Sequence, residues 1–389
     1  MKPLLIVILA LCTYSNVQSQ KKWINYFDQK YTSLCRAETT FREYYLQLST
    51  SGNQYDFMRL NNIVSPLMNI YIATQNEEYL NDEIRIINNV LSTAAVSKSI
   101  PGNTYKLRDD YLGWICKTLG TGSVYYSETE LYEGYLFRYI VQFLYEIKKN
   151  GWINRSDKNR DWFNTTLQFI EKNIWEKWIS RSMISNAVPY ATLLGSRTHM
   201  ASHWAHIALF LKELTDKPVI KTQCQDVVNM FDLLLKRNLK YNPNFPDAYT
   251  WNSTWDDVQG TQARAASPST IQDVSHGNHV IAYVAAAKRY NNPNWTAENI
   301  RDFCNTVKEV MFQESTVTFS DNVDGTASIS RPGWGNSQCE GWVLLGMFDQ
   351  QTLNIYLDFA LRRQDLLQSY TQEMEYYANL ALIDHLQNQ

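Results

Sequence analysis

The chain has 389 residues, a net charge of −3, and acidic and basic residues interspersed along its length. No basic patch points to a nucleic-acid partner. The excess is aromatic, with 25 Tyr, 15 Phe and 12 Trp, and such rings serve a core or stack on sugars because a flat apolar face joins a polar edge.

The first element is MKPLLIVILALCTYSNVQSQ, in which one Lys precedes an apolar stretch from Pro3 to Cys12. That stretch is too short to span a bilayer and has the layout of a cleaved secretory signal. Val17 and Ser19 suit cleavage before Gln20, and Leu11 is too bulky for a lipid-anchored Cys12. Residues 1–19 are therefore expected to be a signal peptide and 20–389 a single exported domain, secreted or periplasmic. Five cysteines remain, Cys35, Cys116, Cys224, Cys304 and Cys339, without a C-x-x-C pair. No zinc-ribbon or redox motif is readable, and an odd count leaves a thiol unpaired within a monomer. Sequons at Asn154, Asn164, Asn252 and Asn294 accept glycans in a eukaryotic host and mean nothing in a bacterium.

Helical spacing then dominates. Leu131, Tyr135, Tyr139, Phe143 and Ile147 fall on one stripe, and Phe163, Leu167, Ile170, Ile174 and Trp178 on another. Similar stripes cover 36–49, 57–73, 78–94, 199–215, 223–239, 276–290, 297–313, 340–348, 352–362 and 367–386. Helices separated by short connections imply antiparallel hairpins. About a dozen of them without heptads predict an all-α, (α/α) toroid of about six hairpins, with long loops at its cleft. Two segments break the rhythm. Residues 241–272 are rich in Pro, Asn, Ser and Trp, and 315–335 alternate like a hairpin turning at Asp324-Gly325. Connections this long inside one domain are usually functional.

Five of the six histidines sit at two helix starts. In QDVSHGNHVIAY, His276, His279 and Tyr283 share one face at i, i+3 and i+7. Asp273 is placed to cap that helix, Gly277 permits close approach, and Asn278 lies in the first turn. In GSRTHMASHWAHIALFLKEL, His199, His203 and His206 follow i, i+4 and i+7, with Arg197 just before and Trp204 inside. Isolated histidines are more often satisfied structural groups, but this concentration is costly to bury without use. Further candidates are Arg331, Trp334, Glu340 and Trp342 in SRPGWGNSQCEGW, and Tyr249, Trp251, Trp255, Asp256, Asp257 and Arg264 in AYTWNSTWDDVQGTQAR. A third group, Glu128, Glu130 and Glu133, lies in YYSETELYEGY.

Three chemistries suit these parts. Elimination on a uronate polymer needs the sugar carboxylate neutralised, a base for the C5 proton and an acid for O4. Glycoside hydrolysis needs two carboxylates, for which Asp109, Asp110, Asp256, Asp257, Glu133 and Glu340 are candidates. A zinc site on His199, His203 and His276 or His279 has suitable spacing, but Met200 stands where H-E-x-x-H needs Glu.

THMASHWAHIALFLKELTDKP resembles the Asn-His-x-x-Trp type helix of the alginate-lyase-like, (α/α)-toroid polysaccharide lyases. The resemblance implies a His or Asn on the uronate carboxylate, a Tyr as base or acid, and an Arg close by. His203 takes the signature position, Ser202 replaces the Asn, and Asn278 is a substitute from the other helix. The expectation is a secreted lyase cleaving an alginate- or glucuronan-type polymer. His203, His276, His279, Asn278 and Tyr249 or Tyr283 carry the chemistry; Arg197, His199, Trp204, Trp251, Trp255, Arg264, Arg331 and Trp334 bind substrate. The alternatives are a hydrolase or a non-catalytic glycan-binding toroid. The partner is an acidic polysaccharide, without nucleic acid or membrane, and the chain is monomeric. No cofactor is implied, and structural zinc or calcium stays open.

Overall fold

A computed structural model describes residues 21–103, 108–120, 123–267, 269–367 and 372–389, with 118–120 and 123–126 as backbone only. The expected signal peptide lies outside the described residues. The chain is mostly helical. Helix α1 covers 21–32, followed by α2 (Phe41–Leu48), α3 (Phe57–Thr74), α4 (Glu77–Ser92) and α5 (Glu130–Lys149). Helix α6 (Asp157–Ile170) runs through a π-helical turn, Glu171–Glu176, into α7 (Lys177–Asn186). Then come α8 (Ala191–Leu194), α9 (Thr198–Leu214), α10 (Pro218–Asn238), α11 (Val274–Arg289) and α12 (Ala297–Asn305). After α13 (Trp334–Ser337) a 3-10 segment, Trp342–Met347, leads to α14 (Gln350–Arg362), α15 (Gln364–Leu367) and α16 (Glu373–Gln387).

The helices start where side chains satisfy otherwise unpaired N–H groups. Thr40, Asn76, Thr129, Ser156, Asp273, Thr296 and Asp349 accept such bonds, and Pro218 opens α10. Sequence periodicity missed short strand pairs, because two- to six-residue strands fall below its window. Among them are Cys116–Gly120 with Ser123–Ser127, and Lys240–Asn242 with Phe245–Thr250 at the start of the long connection. The expected hairpin about Asp324-Gly325 lies earlier: Phe312–Gln313 pairs with Thr318–Phe319 across residues 314–317, and Asp324-Gly325 is a separate tight turn in which Gly325 has φ 89°. The five cysteines form no disulfide, and no described helix is long and apolar enough to cross a membrane.

Six segments pack in an order that returns to its start: α3 on α5, α5 on α9, α9 on α11, α11 on Trp342–Met347, that segment on α16, and α16 on α3. Helices α4, α10 and α14 back α3, α9 and the 3-10 segment in turn. Several of these contacts fix direction. Tyr135 meets His203 and Tyr139 meets His206; His199 meets His276 and His203 meets His279. Rising numbers therefore pair with rising numbers, and α5, α9 and α11 run parallel. The Asn61 contact with Arg138 sets the start of α3 beside α5, and the Asn69–Asn379 bond joins α16 to α3.

The aromatic excess goes mainly into the core. Trp204, Trp251 and Trp255, expected to stack on sugars, are fully buried. Trp204 packs on Trp175, Trp251 on Trp342 and Phe303, and Trp255 donates to the Leu194 carbonyl. Gly277 has the close neighbours its position suggested: an added Cβ would meet Trp251, Trp342 and Gln272, each at 3.3 Å.

Candidate active site

Three stretches of irregular chain are tied together above the N-termini of α9 and α11. Isolated bridges link Arg197 to Thr254, Asn252 to Ile271, and Asp273 to Asn322. Backbone bonds from Val274 to Asp321 and from Val323 to Gln272 complete the layer. Asp321 accepts from the Ser328 and Gly335 amides and so folds the 328–335 loop back over the helices. Gly335 is required there, because a Cβ would lie 1.9 Å from the Ser320 carbonyl oxygen. These connections frame a cleft of about 450 Å³, lined by Arg197, His199, Asp273, His276, Asn322 and Arg331 among others.

Asp273 caps α11 through the His276 amide at 3.0 Å and also faces the His276 ring, with Nδ1 2.9 Å from Oδ2. A carboxylate only accepts, so Nδ1 carries the proton and Nε2 is left with its lone pair. Burial works to raise the Asp273 carboxyl, but bonds from His276 and Ser275 hold it well below the usual carboxylate range. Arg331 Nη1 lies over the same imidazole, in contact with Nδ1 and 3.1 Å from Nε2, with its guanidinium 4.8 Å over the Trp334 ring.

The two histidine stripes meet as neighbours and form one column running inward from the cleft. The His276 ring lies 4.2 Å from that of His199, and His203 lies beneath, 5.0 Å from His279 and 4.2 Å from Tyr135. His206 ends the column, with Nε2 2.8 Å from Gln142 Oε1. His203 has 0% exposure, so the residue expected to touch the carboxylate sits one turn below the cleft floor. Burial, and after it mainly neighbouring positive groups, push His199, His203, His206 and His279 well below the usual imidazole value. All four are neutral at neutral pH.

Sequence reasoning placed Tyr135 on an apolar stripe and gave it no role. Its hydroxyl is 3.0 Å from His279 Nε2, and it keeps 9% exposure against 8% for His279. Arg138, one turn below and buried, lies 3.2 Å from His279 Nδ1 and donates twice to Asn61 Oδ1, at 3.2 and 3.0 Å. A guanidinium can only donate, so His279 Nδ1 accepts and Nε2–H points at the Tyr135 oxygen. The Tyr135 hydroxyl proton is thereby free to point away from His279. Burial pushes this phenol up to about 12, with Arg138 pulling the other way. Glu340 and Glu375 sit in the same interior; burial, and for Glu340 also Glu375, push both carboxyls upward against the pull of Arg138. One signal was legible: Arg138 interrupts the middle of a long, otherwise largely apolar helical run.

The remaining expected site residues lie elsewhere. Tyr283 donates to Asp232 at 2.7 Å and is fully buried. Tyr249 packs on Phe303 and accepts from Asn299. Asn278 accepts from the Gly341 and Trp342 amides and joins α11 to the next segment. Arg264 is exposed near Glu130, whose carboxyl it helps to lower against burial. Of the hydrolytic candidates, Asp109 pairs with Arg181, Asp110 with Lys98, Asp256 with Lys240 and Glu133 with Lys177; Asp257 accepts from the Gln259 amide. Glu340 is buried. Among the described residues, no group of three or more His, Cys, Asp or Glu could hold a metal ion. Compared with family models, curated proteins and solved structures, the chain matches none.

Proposed function

We propose that the chain is an exported, monomeric lyase that cleaves a uronate polysaccharide by β-elimination, built on a toroid of helical hairpins. The closed order of packing and the parallel run of α5, α9 and α11 support the toroid. The signal-like N-terminus agrees with an extracellular polymer. One observation carries the chemistry: the Asp273–His276 pair, with Arg331 over its ring, lies on the cleft, and the Tyr135–His279 pair lies one turn further along α11.

In this reading Arg331 and Arg197 take the substrate carboxylate, which draws Arg331 off His276 and makes the C5 proton removable. His276 Nε2 accepts that proton, and Asp273 stabilises the imidazolium. The C5–H electrons form the C4–C5 double bond as the C4–O4 bond breaks. The Tyr135 hydroxyl gives its proton to O4, leaving a phenolate held by His279 Nε2–H above the Arg138 charge. Solvent then returns the proton from His276 to Tyr135. His199 and His203 are positioning residues, since burial keeps His203 from touching sugar. Hydrolysis has less support, because it needs two carboxylates about 5 to 9.5 Å apart across the bond. Among the described residues that line the cleft, Asp273 is the one carboxylate, and His276 occupies it.

The test is incubation with alginate, glucuronan and polygalacturonate, following the ultraviolet absorbance of the unsaturated uronate end. New reducing ends without that absorbance would overturn elimination in favour of hydrolysis.

A further inference from the structure

Building on the elimination reading, we infer that the cleft grips the acidic chain on both sides of the cleavage point, through two opposed pairs of an aromatic ring and a guanidinium. The first pair is Trp334 with Arg331, whose guanidinium carbon lies 4.8 Å from the ring centre. The second is Tyr55 with Arg59 at 5.7 Å, where the Tyr132 ring meets Tyr55 edge-on at 5.5 Å.

Their positions follow from the fold. Tyr55 lies in the 3-10 turn Gln54–Asp56 that leads into α3, and Arg59 is in the first turn of α3; Tyr132 is in the first turn of α5, one turn before Tyr135. His276 is in the first turn of α11, and Arg331 rests on it. The starts of these helices lie at one end of the molecule, because Asn61 of α3 meets Arg138 of α5, which meets His279 of α11. Helices α3 and α11 are three packing steps apart in either direction around the closed order. The two pairs therefore sit at the starts of α11 and α3, on opposite sides of the closed order, with Tyr135 of α5 and His276 of α11 at the same end.

The chemistry of each pair selects one kind of sugar. A pyranose stacks its C–H face on the ring, and a carboxylate on that sugar accepts from the guanidinium. Tyr55, Tyr132 and Trp334 are partly exposed. The Arg59 side chain is 49% exposed and donates to Asp56 at 3.3 Å through Nη1, which holds the guanidinium by the ring with further N–H groups free to bind. A neutral hexose satisfies only half of each pair. The ligand is thus a run of consecutive uronates crossing the cleft, and cleavage falls within the chain rather than at its end.

Affinity electrophoresis of the full chain in gels holding polygalacturonate, alginate or a neutral mannan tests this. The wild type should be retarded by a polyuronate and not by mannan. Arg59→Ala and Trp334→Ala should each weaken the retardation about tenfold, with Arg59→Lys in between. Circular dichroism checks the fold, and Tyr55→Phe, which keeps the ring, should migrate like the wild type. A wild type that ignores both polyuronates, or Arg59→Ala and Tyr55→Ala variants that migrate unchanged, would overturn the two-sided grip. Polyuronate retardation that these variants lose, without any unsaturated product, sustains the grip while elimination fails. Unsaturated product with an unchanged KM in Arg59→Ala removes the grip while elimination stands.

Discussion

One stripe on α11 carries His276, His279 and Tyr283, and its two ends have opposite characters. At the Tyr283 end, Asp232 of α10 is buried and accepts from Tyr283, Trp295, Asn292 and Asn294 at 2.7 to 2.9 Å. Every donor there has an acceptor, so the knot contributes stability and leaves nothing to offer a ligand. Beside the other end, on α9, both ring nitrogens of His203 and Nδ1 of His199 are buried without a hydrogen-bond partner. Buried polar groups left unsatisfied cost stability and persist where something else requires them. The Asp232 knot is saturated with donors, whereas His276 and His279 pack against a face of α9 whose imidazoles are not.

The largest effect is expected from Asp232→Ala. It strands four donors and should cost about 3–5 kcal/mol, a large part of a typical folding free energy. Urea unfolding should show this, while turnover per folded molecule stays unchanged. A loss of activity in the folded fraction would mean that the knot also serves the site. His276→Ala should do the reverse. Removal of the base lowers kcat by about 10²–10⁴-fold, with an unfolding midpoint near that of the wild type. Retained turnover would dismiss His276 from the mechanism.

A matched pair of smaller changes sharpens the contrast. Tyr283→Phe should lower stability by about 1–3 kcal/mol, since a buried bond to a carboxylate is lost, and leave kcat alone. Tyr135→Phe should lower kcat by about 10²-fold through loss of the acid, with little change in stability. If both variants behave alike, the division along α11 does not hold.

Much of this was legible from spacing alone. The i, i+4, i+7 histidines of α9 and the i, i+3, i+7 pattern of α11 placed two polar faces at helix starts, and the faces do meet. Spacing cannot say how deep a face runs, so His276 and His203 looked equivalent although only one lines the cleft. Tyr135 was hidden for a related reason. A tyrosine on an amphipathic stripe reads the same whether its hydroxyl borders a cleft or a core. Trp204, Trp251 and Trp255 erred the other way, because large side chains also fill the space between packed elements, and all three are buried there. Glu375 and Glu340 were separated by sequence, and only the closed packing order brings them near Arg138.

The smallest effect concerns pH and distinguishes the histidine column from the carboxyls beneath it. Burial holds His199, His203, His206 and His279 far below the ordinary 6.5. Below that pH the unfolded chain takes up protons that the folded chain refuses, so stability falls with acidification by up to about 1.4 kcal/mol per pH unit per histidine. Glu340 acts in the opposite sense, since its raised carboxyl binds a proton more tightly when folded and adds stability as pH falls toward 4.5. Glu375, Glu83, Glu130, Glu133 and Glu146 are also raised by burial and act in the same sense as Glu340, so the column is read from differences in urea midpoint between variants across about pH 6.5 to pH 5. His206→Gln keeps a donor for Gln142 but removes one titrating group. It should remove up to about 1.4 kcal/mol per pH unit of acid destabilisation, whereas Glu340→Gln should remove acid stabilisation. Equal slopes in all three proteins would mean that the column is protonated when folded, and its neutral chemistry would then have no basis.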